Sequence, residues 1–162
     1  MARTVEVHHE IWIAAAPATV QSQFADVQHH IDANVHPKLR FELLVREPRR
    51  ARFYQQVKLL GMWQRDLFER HIDDDGSIHD RSIDGFNEGG TLDFRFTPET
   101  QDGRAGTRVD ILIRLPTPPM LGWLAPLIQR QALGETIAAA AEDKRDIEAG
   151  YRPSPAMTLA AA

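Results

Sequence analysis

Cysteine is absent. That excludes disulfide staples, thiolate nucleophiles and any cysteine-held iron–sulfur or zinc centre. No apolar run approaches the roughly 18 residues that a membrane-crossing helix needs. The opening segment MARTVEVHHE lacks the apolar core of a secretory leader. Cytoplasmic residence without membrane insertion is the expectation. A basic excess is missing too: 19 Lys and Arg stand against 23 Asp and Glu, a formal net charge of -4. No broad positive face is therefore offered to nucleic acid. No phosphate-binding loop, dinucleotide glycine turn, nucleophile elbow or zinc-protease helix motif occurs. What is present, 162 residues with 43% hydrophobic and 26% charged content, is the composition of one globular domain with a sizeable core.

Alternation dominates the first half of the chain. Val5, Val7, His9, Ile11 and Ile13 share one face of an opening strand. Pro17 then suits the first turn of a helix, where its missing N–H costs little, and Val20, Phe24 and Val27 give that helix a buried side. Asp26 to His36 reads as a second short helix closed by Pro37. Phe41, Leu43 and Val45 alternate in the next strand. Further strands follow at Phe53–Leu60, Asp66–Ile72 and Ile78–Ile83, at Leu92–Phe96 and at Val109–Leu115, separated by turns rich in Gly, Asp and Pro. The longest helical pattern is Leu121–Ala149, with Leu133, Ile137, Ala140, Ala141 and Ile147 on one stripe and Gly150 at the C-terminal stop. Short turns between successive strands make an antiparallel meander, and only the terminal helix is long enough to cover it. The fold class is α+β.

This order resembles the helix-grip superfamily, which includes START, birch-pollen-allergen and polyketide cyclase/dehydrase-like proteins. The resemblance is carried by Ile13–Pro17, Phe24-Ala25-Asp26, His36-Pro37, Gly106-Thr107-Arg108 and Pro116–Pro119, taken in that order. It implies a curved seven-stranded antiparallel sheet wrapped around a long C-terminal helix, with two short helices after the first strand. Residues 1–151 would form the ligand-binding domain and 152–162 a flexible tail. It also implies an apolar cavity for a hydrophobic or aromatic small molecule. Cyclase, aromatase or dehydratase activity is the enzymatic form of that expectation, and a non-catalytic lipid carrier is the other. The chain would be a monomer or a homodimer.

A three-residue turn at Asp74-Asp75-Gly76 would set Ile72 opposite Ile78, His71 opposite His79 and Arg70 opposite Asp80. Asp66, Phe68, Arg70, Ile72, Ile78, Asp80 and Ser82 then share one face, taken as concave, with Phe53, Gln55, Val57 and Leu59 beside them. His9, Arg70 and Asp80 are the candidate catalytic residues: Arg70 to hold a carboxylate or enolate oxygen, Asp80 to orient it and His9 to move a proton. Phe53, Gln55, Trp63, Phe68, Phe94, Phe96 and Trp123 are the candidate ligand-binding residues. A one-residue slip would exchange the two faces.

His29, His30 and His36 fall within eight residues, with Asp26 and Asp32 among them. Two histidines and a carboxylate can hold non-heme iron with open positions. The segment is loosely similar to the Asp-x-x-His-x-x-x-x-His ligand segment of Rieske oxygenase catalytic domains, and Glu142-Asp143 to their carboxylate region. It departs from that pattern because the second histidine would fall at Asn34, and a chain without cysteine builds no Rieske cluster. His30, His36 and Asp143 are the metal candidates. No cofactor is otherwise expected, and a metal-dependent oxygenase-like protein is the rival reading.

Overall fold

The structure, a computed structural model, describes residues 3–155. Strand β1 (Arg3–Ile13) is followed by helices α1 (Pro17–Ala25) and α2 (Val27–Asp32). Six strands come next: β2 (Leu39–Glu47), β3 (Arg50–Leu59), β4 (Met62–Ile72), β5 (Ile78–Gly85), β6 (Thr91–Gln101) and β7 (Arg104–Thr117). A 3-10 turn (Pro119–Leu124) leads into helix α3 (Ala125–Glu148). The sheet is seven-stranded in the order β1-β7-β6-β5-β4-β3-β2 and every pairing is antiparallel. This is a meander from β2 to β7, with β1 added beside β7, so β1 and β2 form its two edges. The helices α1 and α2 carry the chain from one edge to the other.

The β4–β5 hairpin has the expected register, with Arg70 opposite Asp80 and Ile72 opposite Ile78. Phe68, Arg70, Ile78, Asp80 and Ser82 are buried. Alternation fails at two bulges. One lies between Leu67 and Phe68, so that Phe68 pairs Ser82 while Leu67 pairs Asp84. The other inserts Leu44 between Leu43 and Val45 in β2. An extra residue flips the phase of everything beyond it. Val45 therefore turns outward at 43% exposure, against the expected alternation, and Arg46 turns in to reach Asp26 at 3.0 Å.

The terminal helical segment is shorter than Leu121–Ala149 as an α-helix. Pro126 has no N–H to give and is accepted only in a first turn, so the α-helix starts at Ala125 and the residues before it wind as 3-10. Gly150 follows the helix at φ +103°, a conformation open chiefly to glycine. The buried face of α3 is Ile128, Thr136, Ala140, Asp143 and Ile147. Leu133 and Ile137 were expected inside and are 38% and 45% exposed. The helix is rotated because Asp143 lies at the centre of its buried face, where polar partners from α2 meet it. Gly106, on β7, needs its missing side chain: a Cβ there would collide with the Trp12 ring and the Ile13 carbonyl.

The core has three clusters. Ile13, Val20, Phe24, Ile78, Val109, Ile111, Ala140 and Ile147 bind α1 and α3 to the sheet. Val27, Ala51, Phe53 and Phe68 lie under α2, and Val5, Val7 and Ile128 under the start of α3. Part of the expected tail belongs to the fold. Ser154 is buried, and its N–H and hydroxyl donate to the Asp26 carboxylate at 2.8 and 2.7 Å. The rest of that tail, 156–162, lies outside the described residues.

Candidate functional site

The first and second core clusters leave a cavity of about 190 Å³ between them, enclosed by the concave sheet and α3. Strand β3 contributes Phe53, Gln55, Val57 and Leu59; β4 contributes Asp66, Phe68 and Arg70; β5 contributes Asp80. Leu92 and Phe94 of β6, and Ile111, Ile113 and Leu115 of β7, complete the sheet side. Small residues of α3, among them Ala132, Ala139 and Ala140, form the roof, which is why the helix can stand off without filling the space. Among the lining residues only Lys38 is exposed, so the wall meets solvent where the chain enters β2.

Arg70 and Asp80 face the cavity as a two-pronged pair. Arg70 Nε and Nη2 donate to the two Asp80 carboxylate oxygens at 2.7 Å each. Their side chains are 8% and 3% exposed. Arg70 Nη1 also donates to the Phe24 carbonyl at 2.8 Å, and the guanidinium lies 5.0 Å from the Phe53 ring centroid. A guanidinium has five N–H donors; three are engaged here, so two remain to meet a ligand oxygen. Close by in the lining, Asp66 is a buried carboxylate that accepts from Ser82 Oγ, Asn87 N and Asn87 Nδ2 at 3.2, 2.6 and 2.9 Å. Among the described residues no cationic side chain lies within salt-bridge distance of it. The alternation rule placed Asp66 on this face, but its partner Asn87 comes from the β5–β6 turn, which strand periodicity does not reach.

Four of the expected residues do not line the cavity. His9 is half-buried on the edge strand β1, opposite Ile111 of β7, which already forms the wall. Burial, then the neighbouring His8, lower its pKa. Trp63 is 45% exposed, stacked 4.3 Å under Arg40; its place in β4 alternates with Asp66 and Phe68 and so falls on the convex side. Trp123 is 76% exposed on a 3-10 turn with no buried residue. Phe96 lies under α1, edge-on to Phe24 at 5.4 Å, and is core. Phe53, Gln55, Phe68, Phe94, Arg70 and Asp80 do line it.

A second polar cluster reaches the same cavity from the helical side. His30 on α2, His36 in the α2–β2 connection and Asp143 on α3 are 8%, 6% and 5% exposed. Asp143 Oδ1 lies 3.0 Å from His30 Nε2 and 3.2 Å from His36 Nε2, and accepts from Gln23 Nε2 at 3.0 Å. His30 Nδ1 faces the Asp26 carbonyl and His36 Nδ1 faces Glu142 Oε2, each at 2.8 Å. The two rings stack at 5.0 Å. Burial opposes a charged His36, but its hydrogen bonds and the charges of Asp143 and Glu142 outweigh that and push it up to about 8. Burial likewise opposes an ionised Asp143, yet His30 and His36 hold it well below the usual carboxylate range. His29, the third histidine of the sequence cluster, points elsewhere, to Asp146 at 2.8 Å. Gln23 carried no sequence signal, since a helical glutamine reads as solvated; Glu142 was legible only as the neighbour of Asp143.

Comparison with known proteins gives the fold. No family model and no curated protein matches the sequence. Among solved structures, a protein from Thermus thermophilus superposes with a TM-score of 0.79 at 23% identity, covering 91% of this chain and 99% of its own. The Zhui aromatase/cyclase from Streptomyces gives 0.71 at 16%, covering 90% and 94%. A START superfamily protein from Mycobacterium smegmatis gives 0.69 at 18%, covering 88% and 97%. With the sheet order and the gripped C-terminal helix, these likenesses establish a helix-grip, START-like fold.

Proposed function

We propose that this chain binds a compact, largely apolar aromatic molecule in the cavity, with a polar oxygen of the ligand on Arg70. The observation that carries the reading is the buried Arg70–Asp80 pair on the wall of a chamber lined mainly by apolar side chains. Pockets of this kind bind through apolar area and are oriented by a few fixed polar groups. The cavity, about 190 Å³, is below the roughly 300 Å³ at which pockets for drug-sized ligands begin. That size suits a one- or two-ring molecule better than a long acyl chain and counts against a lipid carrier.

Asp80 holds the guanidinium plane, so Arg70 presents its two remaining donors in a fixed direction. An enolate or carboxylate oxygen placed there would be stabilised without reorganisation. Asp66, held by Ser82 and Asn87, adds a second fixed polar group to the wall against which a ligand hydroxyl could be placed. His9, outside the lining, has no part in that chemistry. Two structural neighbours are named as aromatase/cyclases, which is consistent with this reading at the level of fold.

The test uses 2-naphthoate and naphthalene as probes. Both should bind the parent protein, and Leu92→Trp, which fills the chamber, should abolish both. Arg70→Gln should weaken naphthoate about tenfold or more, the equivalent of ~1.4 kcal/mol, while leaving naphthalene nearly unchanged. Undiminished naphthoate binding to Leu92→Trp would show that the ligand lies elsewhere.

A further inference from the structure

We propose that His30, His36 and Asp143 form a binding site for a first-row divalent cation, of the zinc or ferrous class, whose open coordination positions face the cavity. The inference stands independently of which organic ligand the chamber takes.

Hydrogen-bond accounting carries it. His30 Nδ1 faces a backbone carbonyl, which can only accept, so that nitrogen holds a hydrogen. In a neutral ring Nε2 is then a bare lone pair, yet it points at a carboxylate oxygen 3.0 Å away. His36 has a related conflict, one hydrogen for two carboxylates in its neutral form: Nδ1 faces Glu142 Oε2 at 2.8 Å and Nε2 faces the same Asp143 oxygen at 3.2 Å. As neutral rings, each therefore sets one bare nitrogen against an oxygen that can only accept, unless something positive stands there. That is either two extra protons, giving paired imidazoliums stacked at 5.0 Å, or one cation. Stacked imidazoliums repel, whereas a cation removes the conflict for both rings at once.

The spacing fits the cation. Two ligand atoms about 2.0–2.1 Å from one ion, at tetrahedral or octahedral angles, lie about 2.9–3.4 Å apart. The two nitrogen–oxygen separations, 3.0 and 3.2 Å, fall in that range. One ligand atom from each of the three residues can be chosen with all of them within 4.8 Å of one another. The supporting contacts also match. A ligating imidazole ordinarily donates its other N–H to a carbonyl or carboxylate, which fixes its tautomer and orientation. Both rings have such a partner, the Asp26 carbonyl and Glu142. Gln23 Nε2 further orients Asp143. Two imidazoles and a carboxylate suit zinc or ferrous iron, and three protein ligands leave positions for water or substrate. All three residues belong to the cavity lining, so an oxygen of a bound molecule could reach the ion.

Zinc titration of full-length protein carrying ¹⁵N-labelled histidine tests this without any substitution. One zinc per chain should bind, with the Nε2 resonances of His30 and His36 shifting and those of His71 and His79 unmoved. His36→Ala, its fold checked by circular dichroism, should bind at least 100-fold more weakly. Glu142→Ala should bind about 10–100-fold more weakly, the usual effect of losing a ligand's supporting partner. His71→Ala should bind as the parent does. The proposal is overturned if zinc fails to saturate, if both rings stay imidazolium at millimolar zinc, or if His36→Ala retains parental affinity.

Discussion

At the residue scale the side chains with most at stake are the buried ions. Arg70 and Asp80 are removed from water together and satisfy each other through two short hydrogen bonds. Such a pair is weak evidence for stability in itself, because the desolvation of both charges offsets their attraction. Breaking it is another matter, since the survivor stays buried and uncompensated. Asp80→Ala should therefore cost ~3–5 kcal/mol in urea unfolding. A surface pair such as Arg52–Glu69, whose side chains are 49% and 34% exposed, leaves its survivor in water when broken and so costs little. A loss below about 1 kcal/mol for Asp80→Ala would place the pair in solvent and remove Arg70 from the site.

At the scale of elements, α3 does two tasks with one face. Its ends, Ile128 and Ile147, anchor in separate apolar clusters, while its middle offers alanines and Asp143 to the cavity. The helix is thus fixed at both ends and loosely packed at its centre, which leaves the chamber open. Ile147→Asp buries an unpaired charge and should destabilise by several kcal/mol. Ile137→Asp changes a half-exposed position and should stay within about 0.5 kcal/mol of the parent. Comparable thermal-melt losses for the two would mean the helix is rotated from the face described.

At the scale of the whole molecule, Asp26 ties the chain's end to its beginning. This fully buried carboxylate accepts from His29 N, Arg46 Nη2, Tyr151 Oη and both donors of Ser154. Burial disfavours its charge, but the Ser154 bonds, with those of His29 and Tyr151, lower its pKa below the ordinary value. A depressed carboxylate contributes stability that is present above its unfolded pKa, about 3.9. That stability is lost as pH falls through the folded value. A chain ending at Gly150 should melt lower than the parent at neutral pH, and the gap should narrow as pH is taken below about 4. A gap that is constant with pH would show that Asp26 does not couple the segment after α3 to the fold.

Alternation and turn chemistry sufficed for the meander of consecutive strands, the β4–β5 register and the side of the sheet on which Phe53, Phe68, Arg70 and Asp80 lie, but not for the seat of β1 beside β7. Each of the former depends on residues two apart or on a turn of known length, which are local properties of the chain. The histidine-rich segment and Asp143 were legible as a chemical type. Their convergence was not, because it depends on how α3 is rotated about its axis. Local pattern misread that rotation by taking Leu133 and Ile137 as the buried stripe. Bulges at Leu44 and between Leu67 and Phe68 were invisible for a related reason: an inserted residue looks like any other until the partner strand is counted against it. His9 and Phe96 failed as cavity residues because facing inward does not say how far along a curved sheet a side chain lies, and Trp63 and Trp123 because one is on the convex side and the other on an exposed turn. Sheet curvature and the seating of α3 decided which inward residues meet empty space and which meet one another.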